Sequence, residues 1–418
     1  MKKNILVFPS ASNLAIEIYY SLSKDKNINL IGCSSVNNEI TKIFTENVFI
    51  KEYMHDKNFF HSLNKIIKKH KIDLIYPLSD DVNLFFIEKQ ASIKCDVLCT
   101  SKLKTAKLLS SKSKTYKHLE KHIAVPNLIG VPKEFPVFIK PDKGNSSKDC
   151  YLVKNKKDLS FYLNKIKEPI VMEYLSGEEY TVDCFTDFNK KLIFSQPRIR
   201  INKSLGAASF TKQVYNKTLI DMAFKINSIL DFNGAWFFQA KTSKDKIIKL
   251  LEISPRIGAS SGINRFNDVN LPLLNIYNHF KNKIEIISNN FNMTGFRYLN
   301  YRFDFSFKEF KHAYIDFDDT IYVNGKINST IMKLIFDLKN EGLKVFLISK
   351  HKGDLNKKLQ SFGIKDLFDK IIHLNKDDSK ASYIKGKSFL IDDSFSERKE
   401  VKNKGFYAFP VDFFYSEI

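Results

Sequence analysis

A set of acidic and hydroxyl side chains near the C-terminal end follows short apolar segments that are typical of strands. The set is Asp316, Asp318, Ser349, Asp392 and Asp393, and Lys380, near the start of a short helical segment, could reach the same place. In a parallel sheet the carboxyl ends of the strands form one rim, where ligands bind. Four carboxylates on such a rim would repel one another without a cation, and oxygen ligands of this kind suit Mg²⁺. The sequence therefore predicts that these four aspartates are metal ligands.

The same side chains have the types needed for phosphoryl chemistry. Asp316 can attack a phosphoryl group, as the carboxylates of aspartyl-phosphate enzymes do. Asp318, two residues further on, can protonate the leaving oxygen and then activate water. Ser349 and Lys380 would hold the phosphoryl oxygens. This pattern predicts hydrolysis of a phosphomonoester.

Residues 312–418 resemble the haloacid dehalogenase-like (HAD-like) superfamily, because its four motifs occur here in order. The resemblance implies that Asp318 separates phosphatases from relatives that lack the second aspartate. Residues 321–348 are too few for a large cap domain, so we expect an open site that accepts a bulky substrate or is covered by a neighbouring domain. The alternatives are an ordinary α/β domain with acidic loops, since helix caps explain lone aspartates, and an inactive scaffold.

A second group of residues suggests nucleotide chemistry between residues 112 and 256. Lys140 ends an apolar strand, and a loop of small residues follows it with Gly144, Ser146 and Ser147. Loops of this kind present N–H groups and hydroxyls to phosphates. Two later segments, 237–239 and 250–256, predict a pair of strands that ends in polar groups.

The order of these elements resembles the ATP-grasp superfamily, in particular its carbamoyl-phosphate-synthetase-like branch, over residues 1–285. The resemblance implies ATP and Mg²⁺ as cofactors, and phosphoryl transfer depends mainly on positioning and charge neutralisation. The resemblance implies that Lys112, Lys140, Ser146 and Ser147 contact the ATP phosphates. It implies that the main chain of Glu173, Tyr174 and Leu175 binds adenine and that Glu179 binds ribose. It also implies that Glu252 and Gln239 bind Mg²⁺ and that Arg256 stabilises the transferred phosphoryl group.

This chain departs from the family pattern at two places. Ser254 stands where the family usually has an asparagine that binds metal, and a hydroxyl is a shorter and weaker ligand. The phosphate loop has one glycine where many relatives have several. The second Mg²⁺ and the closure of the loop are therefore expected to differ from the family pattern.

The fold class predicted for the chain is a multidomain combination of α/β and α+β. Strand-like and helix-like segments alternate over residues 1–108, which predicts a Rossmann-like domain with a parallel sheet. Its first turn contains no glycine, so the dinucleotide fingerprint is absent. We expect an ATP-grasp domain over 109–285, a connector over 286–311, and a capless HAD-like Rossmannoid domain over 312–418.

The composition favours a cytoplasmic enzyme of ordinary core size. Apolar residues make up 43% of the 418 residues, and no apolar run approaches the length of a membrane span. The net charge of +21 comes from lysines spread over the whole chain, without a nucleic-acid-binding motif. Five scattered cysteines predict free thiols. A homo-oligomer is compatible with the sequence, which does not specify the oligomeric state.

Together these patterns predict a bifunctional enzyme. An ADP-forming carboxylate–amine ligase would activate a carboxylate, such as a sugar acid, as an acyl phosphate and join it to an amine that bears a phosphate. The phosphatase would act on that phosphorylated substrate or product, as in the modification of surface polysaccharides. Two alternatives stay open: a small-molecule kinase with an editing phosphatase, and an ATP-sensing regulatory domain attached to a phosphatase.

Overall fold

The computed structural model describes residues 2–144, 148–204, 207–289, 293–296, 307 and 309–411. The chain forms two compact units, residues 1–297 and residues 298–418. Within the described residues no helix is both long enough and apolar enough to cross a bilayer. All five cysteines are free thiols, as predicted.

The first unit begins with a parallel sheet of five strands in the order β3-β2-β1-β4-β5. The apolar strand β1 lies in its centre, and α2 buries Phe59, Leu63 and Ile67, which recur every four residues on one face. The elements are β1 (Lys3–Phe8), α1 (Asn13–Leu22), β2 (Ile28–Ser34), β3 (Glu46–Phe49), α2 (Phe59–Lys69), β4 (Leu74–Pro77), α3 (Asp80–Glu88) and β5 (Asp96–Val97).

A small antiparallel sheet of three strands, in the order β7-β6-β8, comes next. Its elements are α4 (Leu103–Leu109), α5 (Lys112–Leu119), β6 (Val137–Pro141), β7 (Tyr151–Val153), α6 (Lys156–Lys165) and β8 (Pro169–Glu173). The central strand β6 carries Lys140, whose neighbours Val137 and Ile139 are fully buried. This sheet therefore fixes the backbone of a predicted phosphate-binding lysine.

The largest sheet of the first unit is antiparallel, in the order β13-β12-β9-β10-β11-β14. Its elements are β9 (Glu179–Thr186), β10 (Leu192–Ser204), β11 (Ala207–Gln213), α7 (Lys217–Ile229), β12 (Gly234–Thr242), β13 (Ile248–Ser254), α8 (Leu271–His279) and β14 (Thr294–Phe296). The last strand corrects one expectation, because it lies inside the predicted connector 286–311 and pairs with β11. Three residues are too few to show the alternation by which a strand is recognised in a sequence.

The parallel sheet and the large antiparallel sheet share one hydrophobic core. Ile5 and Val7 of β1 belong to the same buried cluster as Phe185 of β9, Ala235 of β12 and Ile276 of α8. The parallel sheet is therefore packed against the antiparallel sheet that carries the predicted Mg²⁺ ligands Gln239 and Glu252.

The second unit contains a parallel sheet of five strands in the order β19-β18-β15-β20-β21. The strand order reverses between β15 and β20. The elements are β15 (His312–Ile315), β16 (Tyr322–Val323), β17 (Lys326–Ile327), α9 (Ser329–Asn340), β18 (Lys344–Ser349), α10 (Leu355–Ser361), β19 (Lys370–His373), β20 (Ser388–Ile391), α11 (Phe395–Asn403) and β21 (Tyr407–Phe409). Short 3-10 helices occur in the two units at Glu39–Ile43, Gln90–Ser92, Ser261–Asn267, Lys365–Leu367 and Lys380–Ser382.

The segment between the first two motifs of the second unit forms no separate domain. All of residues 321–348 are described, and they form a hairpin, α9 and most of β18. Asn324 and Gly325 have φ angles of 49° and 81°, which is the pair of positive angles that a tight hairpin turn requires. Asn328 caps α9, whose apolar face is buried in the core of the second unit.

Candidate active sites

A cavity of about 640 Å³ lies in the first unit, at the carboxyl edge of its parallel sheet. Four predicted site residues line it: Lys112, Gln239, Glu252 and Arg256. Gly144 and Ser254 also line it. Side chains predicted for one nucleotide site from segments more than a hundred residues apart therefore meet at one cavity.

Lys140, a predicted phosphate ligand, is buried, with 6% of its surface exposed. Its Nζ donates to the Tyr116 hydroxyl at 2.9 Å and to the carbonyl oxygen of Leu251 at 3.4 Å. Among the residues that the structure describes, both of these partners are neutral oxygens. A buried ammonium with only neutral partners favours an additional anionic ligand such as a phosphate. Tyr116, which the sequence analysis did not select, also donates to that carbonyl, at 2.6 Å.

The two lysines of this site lie in the field of one carboxylate. Burial lowers the pKa of Lys140 and that of Lys112, and Glu252 partly offsets burial at both. The Nζ of Lys112 donates to the carbonyl oxygen of Gly144 at 2.8 Å, at the start of the small-residue loop. The predicted loop ligands Ser146 and Ser147 lie outside the described residues.

Gln239 and Glu252 are direct partners in the register of β12 and β13. Opposed residues of an antiparallel pair project to the same face of the sheet. An amide oxygen and a carboxylate side by side at the cavity wall are the kinds of ligand that Mg²⁺ binds. The donor set of this site therefore fits a magnesium nucleotide.

Arg256 and Ser254 have a partner that the sequence analysis missed. The Nε of Arg256 donates to Asp80 Oδ2 at 3.1 Å, and the Ser254 hydroxyl donates to the other oxygen of the same carboxylate. Asp80 begins α3, directly after the carboxyl end of β4. The sequence contained one indication of this site, because Asp80 and Asp81 follow a strand end and a helix-starting Ser79. Nothing in the sequence indicated that Asp80 would pair with residues as distant in the chain as Ser254 and Arg256.

Among the described residues, five predicted nucleotide ligands do not line the cavity: Lys140, Glu173, Tyr174, Leu175 and Glu179. Glu179 accepts from Arg200 at 2.8 Å, and Glu173 accepts from the main chain of Asn127 and from Lys249, each at 2.6 Å. The side chain of Glu173 therefore stabilises the position of its strand. Leu175 is buried. The hinge role of residues 173–175, Tyr174 included, concerns main-chain groups and stays a prediction, as does the ribose role of Glu179.

A buried ion pair supports the floor of the cavity. Arg198 donates through Nε to Asp183 at 2.8 Å, Asn264 donates to the same carboxylate at 3.0 Å, and both charged groups are almost completely buried. Arg198 also lines the cavity. Loss of one partner would leave the other charge buried without compensation.

We expect Asp183→Ala to destabilise the first unit by about 3–5 kcal/mol. The fluorescence of Trp236 measures this directly, because it is the only tryptophan of the chain and is 1% exposed within the first unit. Urea unfolding followed by this signal should show a lower midpoint for the variant. The matched control, Asp245→Ala, removes an exposed carboxylate of the same unit and should leave the midpoint unchanged. Equal midpoints for the two variants would contradict the structural role of the pair.

In the second unit, two aspartates meet at the point where the strand order reverses. Asp316 follows β15 and Asp392 follows β20, its neighbour in the sheet. Lys380 lies between them, with its Nζ 2.7 Å from Asp316 Oδ1 and 2.7 Å from Asp392 Oδ2. Such a reversal creates a crevice outside the carboxyl ends of the strands, where ligands bind in open α/β sheets.

Burial and neighbouring charges have opposing effects on the pKa values of this cluster. Burial raises the pKa of Asp316 to about 7, with Lys380 opposing the shift and Asp392 adding to it. Burial likewise raises the pKa of Asp392. At Lys380 burial acts to lower the pKa, but the two carboxylates outweigh it, so the pKa lies above its usual value. The cluster therefore favours additional positive charge.

Three carboxylates are close enough to hold one cation. Asp316, Asp392 and Asp393 each offer an oxygen within 4.8 Å of the others. Thr320 supports the third, because its hydroxyl accepts from the Asp393 N–H at 3.2 Å. Asp318, also predicted as a metal ligand, lies outside this group because its carboxylate turns to His351, 2.9 Å away. A metal-binding role for the Asp318 side chain stays a prediction.

Ser349 ends β18 on the same rim and is almost completely buried. Its hydroxyl accepts from the main-chain N–H of His351 at 3.1 Å. The structure therefore brings the predicted set 316, 318, 349, 380, 392 and 393 to one edge of the sheet. The sequence analysis missed His351, although a histidine two residues after a strand end was a visible candidate.

Structural comparison identifies the class of fold of the first unit. Biotin carboxylase from Campylobacter jejuni, in a complex with β-γ-ATP, superimposes with a TM-score of 0.56 at 14% identity, covering 68% of this chain and 72% of its own. N5-carboxyaminoimidazole synthetase from Staphylococcus aureus, complexed with ADP, gives 0.56 at 16% identity over 71% and 81% of the two chains. L-amino acid ligase from Bacillus licheniformis gives 0.54 at 13% identity over 67% and 74%. The first unit has the fold of the ATP-grasp enzymes.

Sequence comparison shows parts of the chain that are similar to one family model and to one ligase. Residues 165–299 match the family described as ATP-grasp in the biosynthetic pathway with Ter operon. A D-alanine–D-alanine ligase from Petrotoga mobilis is 37% identical over 73 residues, which cover 16% of this chain and 24% of that ligase. Neighbours in complex with ADP and with its magnesium salt confirm the expectation of ATP and Mg²⁺ as the cofactors of this class of enzyme.

Proposed function

We propose that the first unit is an ADP-forming carboxylate–amine ligase. The observation that carries the proposal is the arrangement of Gln239, Glu252 and Lys112 at the wall of one cavity, with the buried Lys140 also in the field of Glu252. The names of the ligases with which the chain shares sequence or fold support the same class of reaction.

The proposed roles follow from charge and position. Lys112 and Lys140 would hold the phosphates of ATP, Gln239 and Glu252 would hold Mg²⁺, and Arg256 would face the group in transfer. ATP supplies the phosphoryl group that turns the substrate carboxylate into an acyl phosphate. The amine then attacks the acyl carbon and phosphate leaves, which forms an amide.

Trapping with hydroxylamine tests the ligase proposal. The protein is incubated with Mg²⁺-ATP, hydroxylamine and a panel of carboxylates that includes nucleotide-sugar acids, and ADP and hydroxamate are measured. ADP together with a hydroxamate supports acyl-phosphate chemistry and names the acid. ADP with a phosphorylated substrate and no hydroxamate would replace the ligase with a kinase.

We propose that the second unit is a Mg²⁺-dependent phosphomonoesterase of the HAD type. The carrying observation is the contact of Lys380 with both Asp316 and Asp392 at the point of strand reversal. In this proposal Asp316 is the nucleophile, Asp318 the acid and base, and the three clustered carboxylates hold the cation. Ser349 and Lys380 would hold the phosphoryl oxygens.

Removal of the metal should abolish this activity reversibly. The three-carboxylate group binds its cation through oxygen ligands alone, so excess EDTA should lower hydrolysis of p-nitrophenyl phosphate by at least about 100-fold, and added Mg²⁺ should restore it. The rate of nitrophenol release measures both changes. Full activity in EDTA would exclude the proposed site.

The two activities would act on one small molecule. We propose that the ligase joins a carboxylic acid, such as a sugar acid, to an amine that bears a phosphate, and that the phosphatase removes this phosphate, as in surface polysaccharide modification. The hydrogen bond from Ser254 to Asp80 favours the alternative in which the first unit only senses ATP, because it engages the hydroxyl that stands at a metal-ligand position. Tight ATP binding without ADP formation would support that alternative.

A further inference from the structure

His351 faces the carboxyl group of Asp318 with a single ring nitrogen. Its Nδ1 lies 2.9 Å from Oδ1 and 3.0 Å from Oδ2, and both distances are hydrogen-bond lengths. A nitrogen between the two oxygens fixes the plane of the carboxyl group as well as its position. Asp318 is otherwise half exposed, on a loop end where an aspartate could take several rotamers.

His351 is itself held by three contacts, two to its main chain and one to its ring. The main-chain N–H of His351 donates to Ser349, and the Nε2 of His373 contacts the carbonyl oxygen of His351 at 2.8 Å. The ring packs edge-on against Phe317, with centroids 5.3 Å apart and planes at 86°. Phe317 is fully buried between the two aspartates of the first motif. This degree of fixation differs from that of an exposed ion pair between two flexible side chains.

We propose that His351 is a positioning residue for the acid–base group of the second unit, and that it sets how well the enzyme expels poor leaving groups. The inference rests on the phosphatase function proposed above. It extends that function by assigning the selectivity for leaving groups to a residue outside the four motifs.

The reaction shows why orientation of Asp318 matters. An oxygen of Asp316 attacks phosphorus, the bond from phosphorus to the leaving oxygen breaks, and that oxygen takes the proton of the Asp318 carboxylic acid, which gives an alcohol. Water then attacks phosphorus, its proton passes to the Asp318 carboxylate, and the bond to Asp316 breaks to release phosphate. Asp318 must therefore keep one oxygen directed at the reacting atoms in both charge states.

One donor shared between the two oxygens limits rotation of the carboxyl group. An Nδ1–H group of His351 can donate to the carbonyl oxygen of the neutral acid and to the carboxylate, so the same contact persists through both steps. Without it, the carboxyl group rotates, and proton delivery to the leaving oxygen becomes inefficient. Leaving groups that depart as stable anions do not need this proton.

The test compares two substrates and two variants. His351→Leu removes the donor, and His351→Asn keeps an amide N–H close to the position of Nδ1. For His351→Leu we expect kcat/KM on an alkyl phosphate to fall at least about 30-fold, and kcat/KM on p-nitrophenyl phosphate to stay within about threefold. His351→Asn should recover most of the activity on the alkyl phosphate. The control His122→Leu, an exposed histidine of the first unit, should match the wild type on both substrates.

The possible outcomes distinguish a failure of the inference about His351 from a failure of the proposed phosphatase function. Retained activity on p-nitrophenyl phosphate shows that the His351→Leu protein is folded and that its nucleophile works. An equal loss on both substrates, or no loss on the alkyl phosphate, overturns the positioning role while the phosphatase proposal stands. A wild-type protein that hydrolyses neither substrate with Mg²⁺ overturns both.

Discussion

Asp316→Asn is expected to abolish hydrolysis of phosphomonoesters and to leave formation of ADP by the first unit unchanged. The amide cannot form the aspartyl phosphate, so kcat on p-nitrophenyl phosphate should fall by more than about 1,000-fold, or ~4 kcal/mol in the barrier. The substitution also removes one of the three clustered carboxylates, so an additional loss of metal affinity is expected. Nitrophenol release and ADP release, measured on the same preparation, test both parts.

Asp366→Asn is the matched control for this experiment. It makes the same chemical change at an exposed aspartate of the second unit and should behave as the wild type. Phosphatase activity that survives in Asp316→Asn would mean that another group is the nucleophile. A loss of ADP formation in the same protein would mean that the two activities are not separable.

Glu252→Gln is expected to reduce ADP formation by the first unit and to leave phosphatase activity unchanged. The substitution removes the carboxylate beside Gln239 and also the negative charge that partly offsets burial at Lys112 and Lys140. Both changes weaken the site for a magnesium nucleotide, so ADP formation should fall at least about 100-fold, or ~3 kcal/mol, while phosphatase activity is unchanged.

The measurement for Glu252→Gln is ADP release with the carboxylate found by hydroxylamine trapping. Glu285→Gln, an exposed glutamate of the same unit, is the control. A decrease of less than about tenfold, which corresponds to ~1.4 kcal/mol, would be too small for a residue that holds the catalytic metal. A decrease in the phosphatase rate as well would indicate damage beyond the first site.

Local patterns in the sequence were sufficient for much of the fold. The bounds of α9 and β20 are defined locally, by a capping asparagine and by an unbroken apolar run. Strand β14 escaped the sequence analysis because its pairing with β11 depends on tertiary contacts rather than on its own three residues.

The residues of the candidate sites also differ in whether local sequence patterns were sufficient to predict them. Asp316 and Asp392 follow neighbouring strands of the sheet, and Lys380, which begins a short 3-10 helix, contacts both. Asp80 and His351 were missed because each is defined by its partner across the fold rather than by its spacing in the chain. A sequence without aligned relatives carries no information about such pairs.

The core that β1 shares with the antiparallel sheet has a consequence for how this chain can be shortened. A fragment beginning at residue 109 would retain Phe185, Ala235 and Ile276 but lose Ile5 and Val7, which cover them. An uncovered apolar surface of that kind leads to aggregation. Residues 1–297 are therefore the smallest portion of the N-terminal side for which solubility is expected, and the first hundred residues serve the nucleotide site partly as its folding partner.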